Sequence, residues 1–275
     1  MKTPLNDDHA SRSLLYRSLV FSFGIMAYLV GAGALVATML TLLGVFQFTG
    51  GPLGELSSGP ALALDLLLLL AFAVQHSVMA RASFKARWTR VVPPAAERSM
   101  YLLATGLVVM PLLVFWQPMP AVVWSVQDPL ARWLIVAIAL LGWAYLFAAS
   151  FAINHFELFG LQQVYRALRG RPLTPVQFRV RWMYRFDRHP IMTGLLIGLW
   201  LTPTMTLGRL VFAAGCTVYI WVGVFFEQRS LRRQLGRPYE EYCERVRSIV
   251  PTFTSRYSHR EPAVAPVSTR TRESS

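Results

Sequence analysis

The chain is 275 residues long, 54% hydrophobic with a mean hydropathy of +0.42, and carries a formal net charge of +13 from 27 Lys and Arg against 14 Asp and Glu. That apolar share exceeds the roughly 45–50% of an ordinary soluble domain and excludes a disordered or fibrous chain. Two cysteines, Cys216 and Cys243, form no CxxC and no evident pair, so neither a disulfide framework nor a thiolate metal site is indicated.

Residues 1–17 form a polar and basic amino-terminal segment, with Asp7 and Asp8 and no short apolar region before a cleavage site, so a retained first span is expected. From 19 to 47 no charge interrupts the chain, more than the ~20 residues that cross a bilayer. Further apolar spans are expected at 61–79, 100–116, 133–153, 191–202 and 210–226. The fifth is short and ends at Pro203, so the last two read as a helical hairpin with a short or tilted first arm. Between 227 and 250, Leu231, Leu235, Tyr239, Tyr242 and Val246 recur at roughly helical spacing among arginines, which predicts an interfacial amphipathic helix interrupted at Gly236-Arg237-Pro238. Gly170-Arg171-Pro172-Leu173-Thr174-Pro175 is a turn-rich linker, and 254–275 is expected to be a disordered basic tail. The expectation is an all-α integral membrane protein of five to six transmembrane helices, one membrane domain over 18–253, with a carboxy-terminal hairpin and a cytoplasmic interfacial helix.

The positive charge alternates. Arg12 and Arg17 flank the first span; Arg81, Lys85, Arg87, Arg90 and Arg98 follow the second. Arg166, Arg169, Arg171, Arg179, Arg181, Arg185 and Arg188 follow the fourth, and Arg229, Arg232, Arg233 and Arg237 the last. The loops at 49–60 and 117–132 are nearly free of basic residues. By the positive-inside rule, the basic loops and both termini are expected on the cytoplasmic side of the inner membrane. Nucleic-acid binding accounts for the charge but not for its alternation.

Topology sorts the titratable residues. His76 lies at the basic end of the second span, Glu97 and Arg98 precede the third, and Asn154-His155-Phe156-Glu157 closes the fourth. Arg188 and His189 open the fifth, and Glu227 closes the sixth. All three histidines of the membrane domain thus gather at one leaflet, which points to an enzyme site at the cytoplasmic interface. Each residue alone also reads as a headgroup contact or helix-end anchor, and Asp65 as a helix-packing hydrogen bond. In Arg188-His189-Pro190, the residue before proline is pushed towards extended backbone, and Pro190 suits a first helical position. Together they are expected to leave free backbone groups at a helix start, while Gly194 admits a ligand or a neighbouring helix.

Arg188-His189-Pro190 with Gly194, then Glu227, Gly236, Tyr239, Tyr242 and Pro251, resembles the carboxy-terminal S-adenosylmethionine site of isoprenylcysteine carboxyl methyltransferase-like membrane enzymes. Gln75-His76-Ser77-Val78-Met79-Ala80-Arg81, with Phe84-Lys85, Pro93-Pro94 and Glu97-Arg98, resembles the NnrU-type branch. Asn154-His155-Phe156-Glu157-Leu158-Phe159-Gly160-Leu161-Gln162-Gln163-Val164, with Thr202-Pro203-Thr204-Met205-Thr206, resembles the methanethiol S-methyltransferase family. The similarity runs from about Ala71 to Pro251.

The resemblance implies S-adenosyl-L-methionine as cofactor and a small volatile thiol as substrate, reached from the lipid bilayer. It implies Arg188, His189, Pro190, Gly194, Glu227, Tyr239 and Tyr242 around the cofactor. His155 and His189 are the implied candidate bases, with His76 behind them and Glu157 orienting an imidazole; Arg98, Asn154 and Tyr184 fall on the substrate side. No metal is implied, although His76, His155 and His189 leave a metalloprotein as an alternative. Other lipophilic acceptors and a non-catalytic membrane component are further alternatives. Two residues depart from the superfamily pattern: Met192 stands where a tyrosine is frequent, and Glu227-Gln228 where a Glu-Glu pair is.

Overall fold

The structure, a computed structural model, describes residues 13–173 and 180–249. The expected amino-terminal segment up to residue 12, part of the linker after Leu173, Pro251 and the basic tail lie outside the described residues. Among the described residues, five helices are long and apolar enough to cross a membrane: α1 (Leu14–Leu42), α2 (Ser58–Ala80), α4 (Glu97–Phe115), α5 (Pro129–Ala152) and α9 (Leu207–Leu235). Shorter helices are α3 (Ala82–Trp88), α6 (His155–Leu158), α7 (Leu161–Leu168), α8 (Pro190–Trp200) and α10 (Arg237–Arg245). The protein is an all-α membrane protein with one small two-stranded sheet among the described residues.

Local chemistry sets the helix starts. Ser13 caps α1 by accepting from the Tyr16 amide, and Asp128 caps α5 by accepting from Ala131, with Pro129 in the first turn. Helix pairs close where side chains are missing. A Cβ on Gly31 would stand 2.3 Å from Leu102 of α4, and one on Gly142 would stand 2.4 Å from Ile197 of α8. In lipid such small-residue contacts supply the van der Waals packing that holds helices together. The bundle order follows: α8 packs on α5, α4 on both α1 and α2, α7 on α1, and α9 on both α2 and α8.

The end opposite the arginine-rich loops is tied by polar contacts that hydropathy does not reveal. β1 (Val122–Ser125) pairs antiparallel with β2 (Thr204–Thr206). Arg209 donates to the last carbonyls of α1, Thr41 and Leu42, at 2.8 Å each, and to Thr202 Oγ1 at 2.7 Å. A cation at a helix C-terminus is favoured by the dipole and fills orphaned carbonyls. Asp65 accepts from the Gln117 amide at 2.9 Å, the helix-packing bond expected of it.

The fifth apolar segment behaves differently from the others. α8 has only 11 residues, about 16 Å, and the chain continues extended from 201 into β2. A half-length helix plus an extended strap replaces a full helix, so its start at His189 sits buried inside the bundle. The interfacial helix is also shorter than expected. Nothing between Phe226 and Leu235 breaks a helix, so α9 runs on for 29 residues; Gly236 (φ 61°) ends it, and Pro238 falls in the first turn of α10.

Candidate site at the start of α8

Asp187, fully buried, organises the α8 start. Its Oδ1 accepts from the His189 amide at 2.9 Å. The Thr193 hydroxyl lies 2.5 Å from Asp187 Oδ2 and 2.6 Å from the Ile249 carbonyl. The single hydroxyl hydrogen of Thr193 thus faces two acceptors, Asp187 Oδ2 and the Ile249 carbonyl, and ties them together. Burial pushes the Asp187 pKa up, opposed by its hydrogen bonds with Thr193, the His189 amide and Tyr145 and by the Arg188 charge. The His189 amide at the helix start is therefore taken, by a residue that no sequence motif singled out, while no side chain caps the first turn of α8 itself. An Asp two residues before an X-Pro turn was the available signal. His189 itself sits at φ −131°, ψ 57°, short of fully extended.

The His189 ring is held on both sides. Its Nδ1 lies 3.5 Å from Glu227 Oε2, and its Nε2 lies 3.2 Å from Gln228 Nε2. Gln228 is oriented by Arg188, which can only donate and reaches Oε1 at 3.4 Å, while its Nε2 also donates to Ser248 Oγ at 2.6 Å. The amide thus donates to the His189 Nε2 lone pair and leaves Nδ1–H for Glu227. Burial, with Arg188 beside it, pushes the His189 pKa down to about 4, so the ring is neutral at neutral pH. The Gln228 departure has a function in this network: a carboxylate there could accept from Arg188 but could not donate to His189.

Two groups in this cluster keep capacity for a ligand. Arg188 Nε is buried without a hydrogen-bond partner, although Nη1 reaches Gln228 and Cys243 Sγ (2.8 Å). Glu227 keeps 53% of its side chain accessible beside a His189 that is 6% accessible. The pair offers a guanidinium edge for an anion and a carboxylate for hydroxyl or ammonium donors.

The remaining predicted site residues fall into other roles. Gly194 faces α5, where a Cβ would stand 2.5 Å from the Gly142 carbonyl, so a neighbouring helix takes the space. Pro190 is buried at the first turn of α8. Tyr239 and Tyr242 are buried with Val246, and Tyr242 donates to the Tyr184 carbonyl at 2.6 Å. They fasten α10 beneath the site. Burial raises both phenol pKa values, so they remain donors. Met192 packs against the apolar core.

Asn154-His155-Phe156-Glu157 forms a bonded turn. Asn154, at φ 84°, accepts from the Glu157 amide and donates to its Oε2 at 3.0 Å. Arg98 donates to the Glu157 carbonyl at 2.9 Å. Ser150 Oγ gives its hydrogen to the Phe147 carbonyl (2.7 Å), so at 2.9 Å from His155 Nδ1 it accepts; Tyr28 then donates to His155 Nε2 at 2.8 Å. Both ring nitrogens are committed, and burial pushes the His155 pKa down. His76 lies apart, with its Nδ1 3.1 Å from Thr105 Oγ1. The three histidines share no hydrogen bond or ring contact with one another. Among the described residues no group of three or more His, Cys, Asp or Glu is placed to hold a metal ion.

No family model and no solved structure matches the chain. Among curated proteins, the methanethiol S-methyltransferase of Mycobacterium tuberculosis is 49% identical over 193 residues, 70% of this chain and 79% of that protein. Methanethiol S-methyltransferase 1 of Bradyrhizobium diazoefficiens is 40% identical over 240 residues, 87% of this chain and 84% of its own length. Nurim of Mus musculus is 33% identical over 237 residues, 80% of this chain and 90% of Nurim.

Proposed function

The chain belongs to the methanethiol S-methyltransferase family, and on that footing we propose that it transfers methyl from S-adenosylmethionine to methanethiol, giving dimethyl sulfide. The reading is supported above all by the unsatisfied pair at the α8 start, Arg188 Nε and the accessible Glu227 carboxylate. These residues fit the donor: Arg188 takes its carboxylate, and Glu227 accepts from its ribose hydroxyls or ammonium. When bound, S-adenosylmethionine supplies a methyl group made electrophilic by the sulfonium.

The chain's own residues do the holding. Gln228 and Glu227 lock the His189 ring neutral, so that no cation is added beside a sulfonium. Asp187 and Thr193 tie the α8 start to Ile249 and keep Arg188 and His189 in register. Fixing donor and thiol in line is the main catalytic resource for a single displacement. The alternating arginines support a cytoplasmic setting for this end, where a charged cofactor arrives from water and a small apolar thiol from lipid.

The test is a headspace assay. Purified protein given methanethiol and methyl-labelled S-adenosylmethionine is expected to release labelled dimethyl sulfide. Label recovered in lipid and none in dimethyl sulfide would replace the thiol with a lipid acceptor.

A further inference from the structure

We propose that the ring cluster around His76 is the thiol subsite, and that His76 Nε2 takes the proton of the alkyl thiol. This rests on the methyl transfer proposed above. It identifies the acceptor side of that reaction, which the α8 cluster does not provide.

Hydrogen accounting singles out His76. The Thr105 hydroxyl lies 2.9 Å from the Tyr101 carbonyl, which can only accept, so Thr105 donates there. Its 3.1 Å contact with His76 Nδ1 then requires the ring to be the donor. His76 is thereby fixed as the Nδ1–H tautomer, with a lone pair on Nε2 that has no protein partner among the described residues. His155 and His189 have both nitrogens engaged by protein groups. Of the three histidines described, only His76 has a basic nitrogen to spare.

The surroundings suit a small thiol. The His76 ring centroid lies 5.3 Å from Phe72, 4.9 Å from Tyr101 and 6.2 Å from Tyr219, and Phe72 and Tyr219 are 5.3 Å apart. A polarisable sulfur is favoured beside aromatic rings. The Tyr219 hydroxyl is already held by Ser77 Oγ at 3.2 Å. These rings come from three helices long and apolar enough to cross a membrane, α2, α4 and α9, a setting that suits an apolar thiol arriving from lipid. Tyr219 lies eight residues along α9 from Glu227, about 12 Å deeper into the bundle. On the proposed reading Arg188 and Glu227 would hold the donor's polar end, and the ring cluster would lie on the acceptor side. The charged groups nearest the box are Lys85 and Glu97, paired at 3.4 Å, with Lys85 Nζ 6.0 Å from the Tyr101 ring.

The step balances. The S–H bond breaks, its proton goes to His76 Nε2, and the electron pair stays on sulfur. That pair forms the new C–S bond as the methyl–sulfonium bond breaks towards the donor's sulfur, leaving a neutral thioether. Thr105 keeps its bond to Nδ1–H throughout and orients the imidazolium; it is a positioning residue.

The test is nitrogen-15 NMR of histidine-labelled protein together with turnover. His76 is expected to show a protonated Nδ1 and an unprotonated Nε2, and methanethiol added without any methyl donor should shift the Nε2 signal. His76→Gln should lower dimethyl sulfide formation by about 10²- to 10⁴-fold and leave S-adenosylmethionine binding by calorimetry unchanged. Thr105→Val, which keeps shape and removes the acceptor, should populate both tautomers and lower turnover; Thr105→Ser should restore both. An Nε2–H tautomer in the wild type, or wild-type turnover in His76→Gln or Thr105→Val, would overturn the assignment. A wild type that makes no dimethyl sulfide yet shows the methanethiol shift would refute the proposed reaction and leave the thiol subsite standing.

Discussion

Gln228→Glu restores the carboxylate pair from which this chain departs, and the structure gives its consequence a size. In the wild type, His189 Nε2 accepts from the Gln228 amide, which costs the protonated ring a partner. A carboxylate at that place offers no donor to neutral His189 and a strong acceptor to the imidazolium. Losing a neutral hydrogen bond changes the balance by about 0.5–1.5 kcal/mol, and gaining a charged one by about 1.5–3 kcal/mol. Both favour protonation. At 1.36 kcal/mol per pKa unit, the sum raises the His189 pKa by roughly 1.5–3 units, from about 4 towards 5.5–7. Arg188 opposes the shift and Glu227 adds to it.

The linkage to stability has a definite sign. His189 binds its proton less readily folded, at about 4, than unfolded, near 6.5. Wild-type stability is therefore full above pH 6.5 and falls as pH drops from 6.5 through 4, by roughly 3 kcal/mol in total for this buried ring. Gln228→Glu should shrink that loss. An NMR pH titration of His189 and thermal unfolding across pH 4–7 read both effects. A His189 that still titrates near 4 in Gln228→Glu would refute the hydrogen-bond assignment.

Thr193→Val removes the hydroxyl that joins Asp187 to the Ile249 carbonyl and should cost about 1–3 kcal/mol by unpairing buried groups; a wild-type midpoint in chemical unfolding would contradict it. Tyr28→Phe leaves His155 Nε2 without its donor and should destabilise by about 1–3 kcal/mol while turnover per folded molecule holds. A selective loss of turnover would return His155 to the chemistry. Gly194→Ala places a methyl 2.5 Å from the Gly142 carbonyl and should cost about 1–3 kcal/mol through overpacking. A thermal melt unchanged from wild type would mean that α5 and α8 are less tightly packed than described.

Hydropathy alone made the five long helices and the shortness of α8 legible, because each of these is a local property of composition. The strap that completes α8 was not legible. Val122–Ser125 and Thr204–Thr206 pair across some 80 residues, and neither segment alternates strongly enough to announce a strand. Arg188, His189, Glu227 and Gln228 could be gathered to one end from charge alternation, yet their mutual bonds depend on rotamers that no spacing encodes. Asn154-His155-Phe156-Glu157 shows the converse. As a motif it carries the family resemblance, and in the fold its polar atoms cap α6, hold Arg98 and anchor Tyr28. His76 looked like the least of the three histidines because its distinction is a tautomer, set by a threonine 29 residues away.

The most direct measurement is an experimental structure of the protein with S-adenosylhomocysteine, the demethylated donor. The account predicts the ligand's carboxylate on Arg188, a hydroxyl or amine on Glu227, and its sulfur directed towards the His76 ring cluster. The ligand bound with Arg188 and Glu227 untouched and its sulfur away from the His76 ring cluster would contradict it.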